Sequence, residues 1–301
     1  MTGDSTTGLV RRALAASRWL FGPAAFVFIA IAGWRARDVF AEVLAQTEPA
    51  AIAIAVGLWL LAHLAAPWSS SIVLAALGAR VRYRDLLAIH VARLPARYLP
   101  GGIWHTVSRV MDLHARGIGR RELTIMVVLE NSLPLATAAL LGGASLCLAG
   151  KVGWPALAAA LAGVLVLVAA HIALRHRSLR AVQPLPFRAL LGATGASTLF
   201  WTIAAGAFLA YWRAFPGAGA GALEVVGTYL VAWAAGFASV FAPQGLGVFE
   251  AVAAVFLDGG LGFAGAAALV AGFRLVLLVA DLLAWLVLQA LRGFTPRAPA
   301  N

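Results

Sequence analysis

Long apolar runs alternate with short arginine-rich tracts along almost the whole chain. The runs cover residues 19–34, 50–77, 123–149, 154–174, 187–211, 223–242 and 263–291. One bilayer crossing takes about 20 predominantly apolar residues, so these runs predict membrane-spanning helices. Run 50–77 is longer than one crossing, and Pro67 with Ser69, Ser70 and Ser71 predicts a bend in it. The polar N-terminus carries Arg11, Arg12 and Arg18, and no convincing small-residue cleavage site follows run 19–34. That run is therefore expected to stay in the membrane. Segment 80–102 differs, because Arg80, Arg82, Arg84, Arg93 and Arg97 lie among Leu86, Leu87, Val91 and Leu94. By helical spacing His90, Arg93 and Arg97 share one face. That face suits either acidic lipid head groups at the interface or the collection of a phosphate.

Two proline/glycine interruptions stand out within the apolar pattern. The first contains Pro100, Gly101 and Gly102 and continues into Trp104 and His105. The second contains Pro243, Gln244, Gly245 and Gly247 and continues into Phe249 and Glu250. Each is followed by a brief apolar stretch and then a glycine-bearing turn, the signature of a re-entrant hairpin. Proline removes a backbone donor and glycine permits close backbone approach. Non-helical backbone at membrane depth survives only where protein or a wet cavity satisfies it. Paired breaks in two halves predict an inverted repeat, with halves 19–150 and 154–292, and a transporter site between them.

Charges beside these breaks sharpen the picture. Arg109 follows the first break and Glu130 lies in the next apolar run; Glu250 follows the second, and Arg274 and Asp281 lie in the run after it. A charge at the bilayer centre costs about 2.5–3.5 kcal/mol on insertion scales, so such residues face a partner or a cavity. Structural salt bridges and substrate contact both fit the pattern.

Composition agrees with this class. Of 301 residues 62% are hydrophobic and 12% charged, which excludes an ordinary soluble enzyme, a disordered chain and a coiled coil. The net charge of +11 raises the question of nucleic acid, but the basic residues fall in short tracts between apolar runs. The positive-inside rule then places the N-terminus and tracts 80–121 and 175–188 in the cytoplasm, and the chain in a cell (inner) membrane. Tryptophans near run ends, Trp19, Trp34, Trp68, Trp154 and Trp212, suit interface anchoring. The single cysteine, Cys147, excludes an internal disulfide framework. The six histidines lack the His-Glu-x-x-His spacing of a zinc hydrolase, and no phosphate-binding loop of the ATPase type is present. No metal or cofactor is expected.

Stretch 97–109 (Arg-Tyr-Leu-Pro-Gly-Gly-Ile-Trp-His-Thr-Val-Ser-Arg) resembles the first signature of the lysylphosphatidylglycerol synthase transmembrane, or flippase-like, family. Stretch 232–250, with Gly236, Pro243-Gln-Gly-Leu-Gly and Glu250, resembles its second, and Gly272-Phe-Arg274 the arginine that follows. Trp104-His105 after the glycines departs from common forms. The resemblance implies a bundle with re-entrant elements that moves lipids across a bilayer. In well-known members a soluble aminoacyl-transferase domain follows the bundle; the sequence read to Asn301 is expected to lack it, so the resemblance to stand-alone members implies another lipid in place of a lysyl-lipid, such as a polyprenyl-phosphate-linked sugar.

The expectation is thus one all-α integral-membrane domain, 1–301, with about seven to eight spans and two re-entrant hairpins. It is a lipid translocase that hydrolyses no ATP of its own. Substrate contact falls to Arg109, Glu130, Glu250, Arg274, Asp281, Trp104, His105 and Gln244. The alternatives are an integral-membrane glycosyl- or acyltransferase, using Asp112, His105 or Glu130, and a scaffold for a separately encoded transferase.

Overall fold

A computed structural model of the chain describes residues 47–98, 103–151, 153–175, 185–215, 218–239, 245–257 and 261–294. Run 19–34, Pro100, Gly101, Gly102, Pro243 and Gln244 lie outside the described residues. Among those described there is no strand. In chain order the helices are α1 (Pro49–Ala65), α2 (Trp68–Ala76), α3 (Tyr83–Ala92), a short 3-10 turn η1 (Leu94–Tyr98), α4 (Trp104–His114), α5 (Arg120–Leu148), α6 (Trp154–Arg175), α7 (Phe187–Arg213), α8 (Ala222–Ala238), α9 (Val248–Phe256) and α10 (Gly262–Phe294).

Among the described residues four segments are long and apolar enough to cross a membrane: Pro49–Ala76, Arg120–Leu148, Phe187–Arg213 and Gly262–Arg292. Two shorter apolar helices, Leu157–Ala170 and Ala222–Ala238, accompany them. Only 28% to 50% of each long apolar window is covered by the rest of the protein. On α6 the side chains of Leu157, Leu161, Val164, Leu165, Val168 and Ile172 are exposed, and on α10 those of Leu275, Leu282, Leu286 and Val287. An apolar surface that wide is unstable against water and natural against lipid. The expected bend in run 50–77 is present: α1 ends at Ala65, and Pro67 caps the start of α2.

Two large cores hold the described part of the bundle, with a small third cluster at Leu146 and Val231. One is aromatic and joins α1, α7, α8 and α10. In it Phe208 stacks on Tyr229 at 4.9 Å and meets Phe273 edge-on at 5.0 Å. The other is aliphatic and joins α2, α3, α4 and α5 through Leu74, Leu86, Ile89, Leu113 and Leu129. Without a hydrophobic drive between helices in lipid, close packing depends on small residues at the crossings. A Cβ at Gly142 of α5 would lie 2.9 Å from the Leu230 and Val231 side chains of α8. A Cβ at Gly163 of α6 would lie 2.8 Å from the Ala136 carbonyl of α5. Trp212 departs from the interface expectation. It is 1% exposed and donates from Nε1 to the Ala218 carbonyl at 3.0 Å, so it is a core residue, whereas Trp68 is exposed.

Candidate functional site

The first break leads into α4, whose Arg109 turns inward and is 5% exposed. Its Nη2 lies 2.7 Å from Oε1 of Glu130 on α5. Its Nε has no hydrogen-bond partner among the described residues. The pair is therefore a charge contact rather than an aligned two-pronged bridge. Glu130 Oε1 also accepts from Ser70 Oγ of α2 at 2.7 Å. Pro134, four residues on, cannot donate to the Glu130 carbonyl, so α5 is weakened beside this carboxylate. One turn before Arg109 stands His105, whose ring hydrogen-bonds the His90 backbone and whose buried Nε2 has no partner among the described residues.

The second break enters α9 through glycine. Gly245 has φ +67° and Gly247 φ +84°, conformations that side chains rarely adopt. A Cβ on Gly245 would sit 2.7 Å from the Gly236 Cα, so backbone lies directly on α8 here. Glu250, at the third position of α9, reaches back with Oε2 to accept from Gly247 N–H at 2.7 Å. Its Oε1 accepts from Arg274 Nε of α10 at 2.6 Å. The Arg274 guanidinium also lies 5.6 Å from the Phe249 ring centre.

A third centre forms around Asp281, 2% exposed. Oδ1 accepts from Trp59 Nε1 at 3.1 Å and faces His63 Nε2 at 2.9 Å. Oδ2 accepts from Arg97 Nη1 and Tyr98 Oη, each at 2.9 Å. Helical spacing places Asp281 two turns from Arg274 on α10, but its cation is Arg97, while Arg274 is held by Glu250. Arg97 and Arg274 both lie within electrostatic reach of Tyr98 and Tyr229, which joins this centre to the second break. His90 Nε2 stands 3.3 Å from His63 Nδ1, and the His90 and His105 rings meet edge-on at 5.4 Å. That joins it to the first break.

The expected shared face of His90, Arg93 and Arg97 does not persist, because α3 ends at Ala92 and η1 follows. His90 turns inward onto His63. Arg93 donates from Nε and Nη2 to both oxygens of Asp112 at 2.7 Å, and Arg97 goes to Asp281. The Arg93 guanidinium holds the Asp112 carboxyl below its usual range. Trp104 is exposed at the start of α4. The side chains not anticipated are His63, Trp59, Tyr98 and Ser70. His63 carried a signal, being a titratable residue inside an apolar run; Trp59 carried none. Among the described residues no group of three or more His, Cys, Asp or Glu is arranged to hold a metal ion.

Among the described residues these features define an all-helical protein with four apolar segments able to cross a membrane and buried ion pairs that tie shorter elements to them. No protein-family model matches the chain, and no curated protein is a significant sequence relative of it.

Proposed function

We propose that this protein is a lipid translocase of the flippase-like kind, carrying a phosphate-containing lipid or a polyprenyl-phosphate-linked sugar across the bilayer without hydrolysing ATP itself. The observation that carries this reading is Arg109. An arginine this buried is held by Glu130 through Nη2, yet its Nε has no hydrogen-bond partner among the described residues. An unsatisfied buried donor costs about 1–3 kcal/mol, more when charged. A bound phosphate oxygen removes that cost, and guanidinium geometry suits it. The unpartnered His105 Nε2 beside it accepts a hydroxyl from the head group.

The reversed order of the two pairs supports a repeat-built site. At the first break the short helix supplies the arginine and the span the glutamate; at the second the short helix supplies Glu250 and the span Arg274. On this reading α4 and α9 are the re-entrant elements and the lipid tail stays in the bilayer. The two halves rock to expose the site alternately. The resemblance of stretches 97–109 and 232–250 to the flippase-like signatures points the same way.

The test is reconstitution of the full chain into vesicles with labelled phosphatidylglycerol or a labelled lipid-linked sugar. Faster crossing than in empty vesicles is expected. Arg109→Lys should slow it about 10- to 100-fold, the equivalent of about 1.5–3 kcal/mol of charge-assisted hydrogen bonding. No crossing above empty vesicles with either lipid sinks the reading.

A second reading, a scaffold for a separately encoded transferase, is favoured by the Glu250–Arg274 pair, in which Glu250 is buried and both its oxygens are satisfied within the protein. Under it, Arg274→Ala lowers the amount of folded protein and leaves transport per folded molecule unchanged.

A further inference from the structure

Three histidines from three helices, His63 of α1, His90 of α3 and His105 of α4, form a row that starts at Asp281. Asp281, at one end, is ringed by donors, so His63 Nε2 carries hydrogen and points it at Oδ1. In neutral His63 the Nδ1 is then an acceptor, which assigns the hydrogen of the 3.3 Å contact to His90 Nε2. Beyond His90 the His105 ring stands edge-on at 5.4 Å. Its Nε2, buried and without a partner among the described residues, is an open lone pair at the end of the row, one helical turn from Arg109. The groups facing the row are Trp59 on α1, Asp281 on α10, Arg97 and Tyr98 on η1, and Arg109 on α4, itself paired with Glu130 of α5.

We infer that the His105–His90–His63 row conducts a proton between the Arg109 site and Asp281, and that this proton is coupled to lipid movement. The inference rests on the translocase reading and names its driving ion. A proton from a head group or water adds to His105 Nε2 as its O–H bond breaks, and the His105 imidazolium then gives one hydrogen to Nδ1 of the adjacent His90 ring, whose Nε2 already carries hydrogen. His90 gives its Nε2 hydrogen to His63 Nδ1, and His63 gives its Nε2 hydrogen to Asp281 Oδ1. Each transfer between side chains breaks one N–H bond and makes one N–H or O–H bond, so the net result is one proton on Asp281. A neutral Asp281 loses its charge attraction for Arg97, 2.9 Å away. Arg97 and Tyr98 belong to η1, which leads directly into the first break, so loss of that charge loosens η1 from α10. The proton thus acts on η1, the turn that precedes α4 in the chain.

The experiment uses the full chain in vesicles of phosphatidylcholine and phosphatidylglycerol, with NBD-labelled phosphatidylglycerol for lipid movement and trapped pyranine for internal pH. Lipid movement is measured with and without a pH step of about one unit, which changes the drive on a one-proton step by a factor of about ten. The wild-type rate should change by about that factor, with proton entry above empty vesicles. His63→Gln and His90→Gln should move lipid at a rate indifferent to the step. If either fails to fold, His105→Gln, at the open end of the row, reports in its place. A purely structural row lowers thermal midpoints in these variants and leaves the response to the step intact, which overturns the inference. Equal wild-type rates with and without the step also overturn it and leave the translocase reading standing. If no lipid moves, the translocase reading falls and pyranine decides the row alone. Proton entry lost in His90→Gln sustains it, and no entry above empty vesicles overturns it.

Discussion

Glu250 and Arg274 separate what an ion pair does for folding from what it does for function. Removing one partner of a buried pair leaves an uncompensated charge, which costs about 3–5 kcal/mol. Glu250→Gln should therefore lower the thermal midpoint in detergent strongly. The double variant Glu250→Leu with Arg274→Met should recover most of that loss, since apolar replacement of a buried pair is often neutral. If the double variant is as unstable as the single one, the pair contributes more than charge balance. Asp112 gives a pH prediction outside the apolar spans. Arg93 lowers the folded-state pKa of Asp112, chiefly through the hydrogen bonds between them. The stabilisation is therefore present above the ordinary carboxylate range and lost as pH falls through the lowered value. Both side chains are partly exposed, so the effect is small, about 0–1 kcal/mol. Asp112→Asn should flatten the acid limb of the stability profile and leave its neutral limb nearly unchanged; an unchanged acid limb would assign acid sensitivity elsewhere.

At the scale of elements, glycine decides which helices meet. Gly245 combines a left-handed backbone with direct contact on Gly236. A side chain there meets a strain of about 1–2 kcal/mol for the conformation, before any clash is counted. Gly245→Ala should thus destabilise by more than Gly195→Ala on α7, where a Cβ meets nothing within 4 Å. Equal midpoints for the two variants would mean that α9 does not sit on α8 as described. Gly142→Val should cost about 1–3 kcal/mol by overpacking the crossing of α5 and α8. The helices themselves were legible because apolar runs announce them, and Pro67 announced the break between α1 and α2. The end of α3 at Ala92 was not legible. Helical spacing treats His90, Arg93 and Arg97 as one face, while in three dimensions their separate partners, His63, Asp112 and Asp281, come from distant parts of the chain. Local periodicity contains no information about such partners.

For the whole molecule, the proposed orientation follows from arginine-rich tracts on one side of the spans. In a Cys147→Ser background, a cysteine at Arg84 should be protected from a membrane-impermeant maleimide in intact cells. One at Gly150, past the other end of α5, should be labelled. The reverse pattern would invert the topology. Both positions are exposed in the fold, so failure of both to label would point to burial in an assembly.

The sequence by itself determined the class of molecule. Its apolar runs are too long and its charges too few for a water-soluble core, and backbone hydrogen bonding in lipid leaves helices as the answer. It also singled out Arg109, Glu130, Glu250, Arg274 and Asp281, because an ionisable group in an apolar run is costly enough to require a partner. Only the tertiary structure decided which partner. Arg109 met Glu130 and Glu250 met Arg274 across neighbouring elements, but Asp281 met Arg97 from a segment 184 residues away. Trp212 entered the core and His63 joined a row of imidazoles for the same reason. Such contacts are set by how helices cross, and the crossings depend on close glycine packing whose register one-dimensional patterning does not encode.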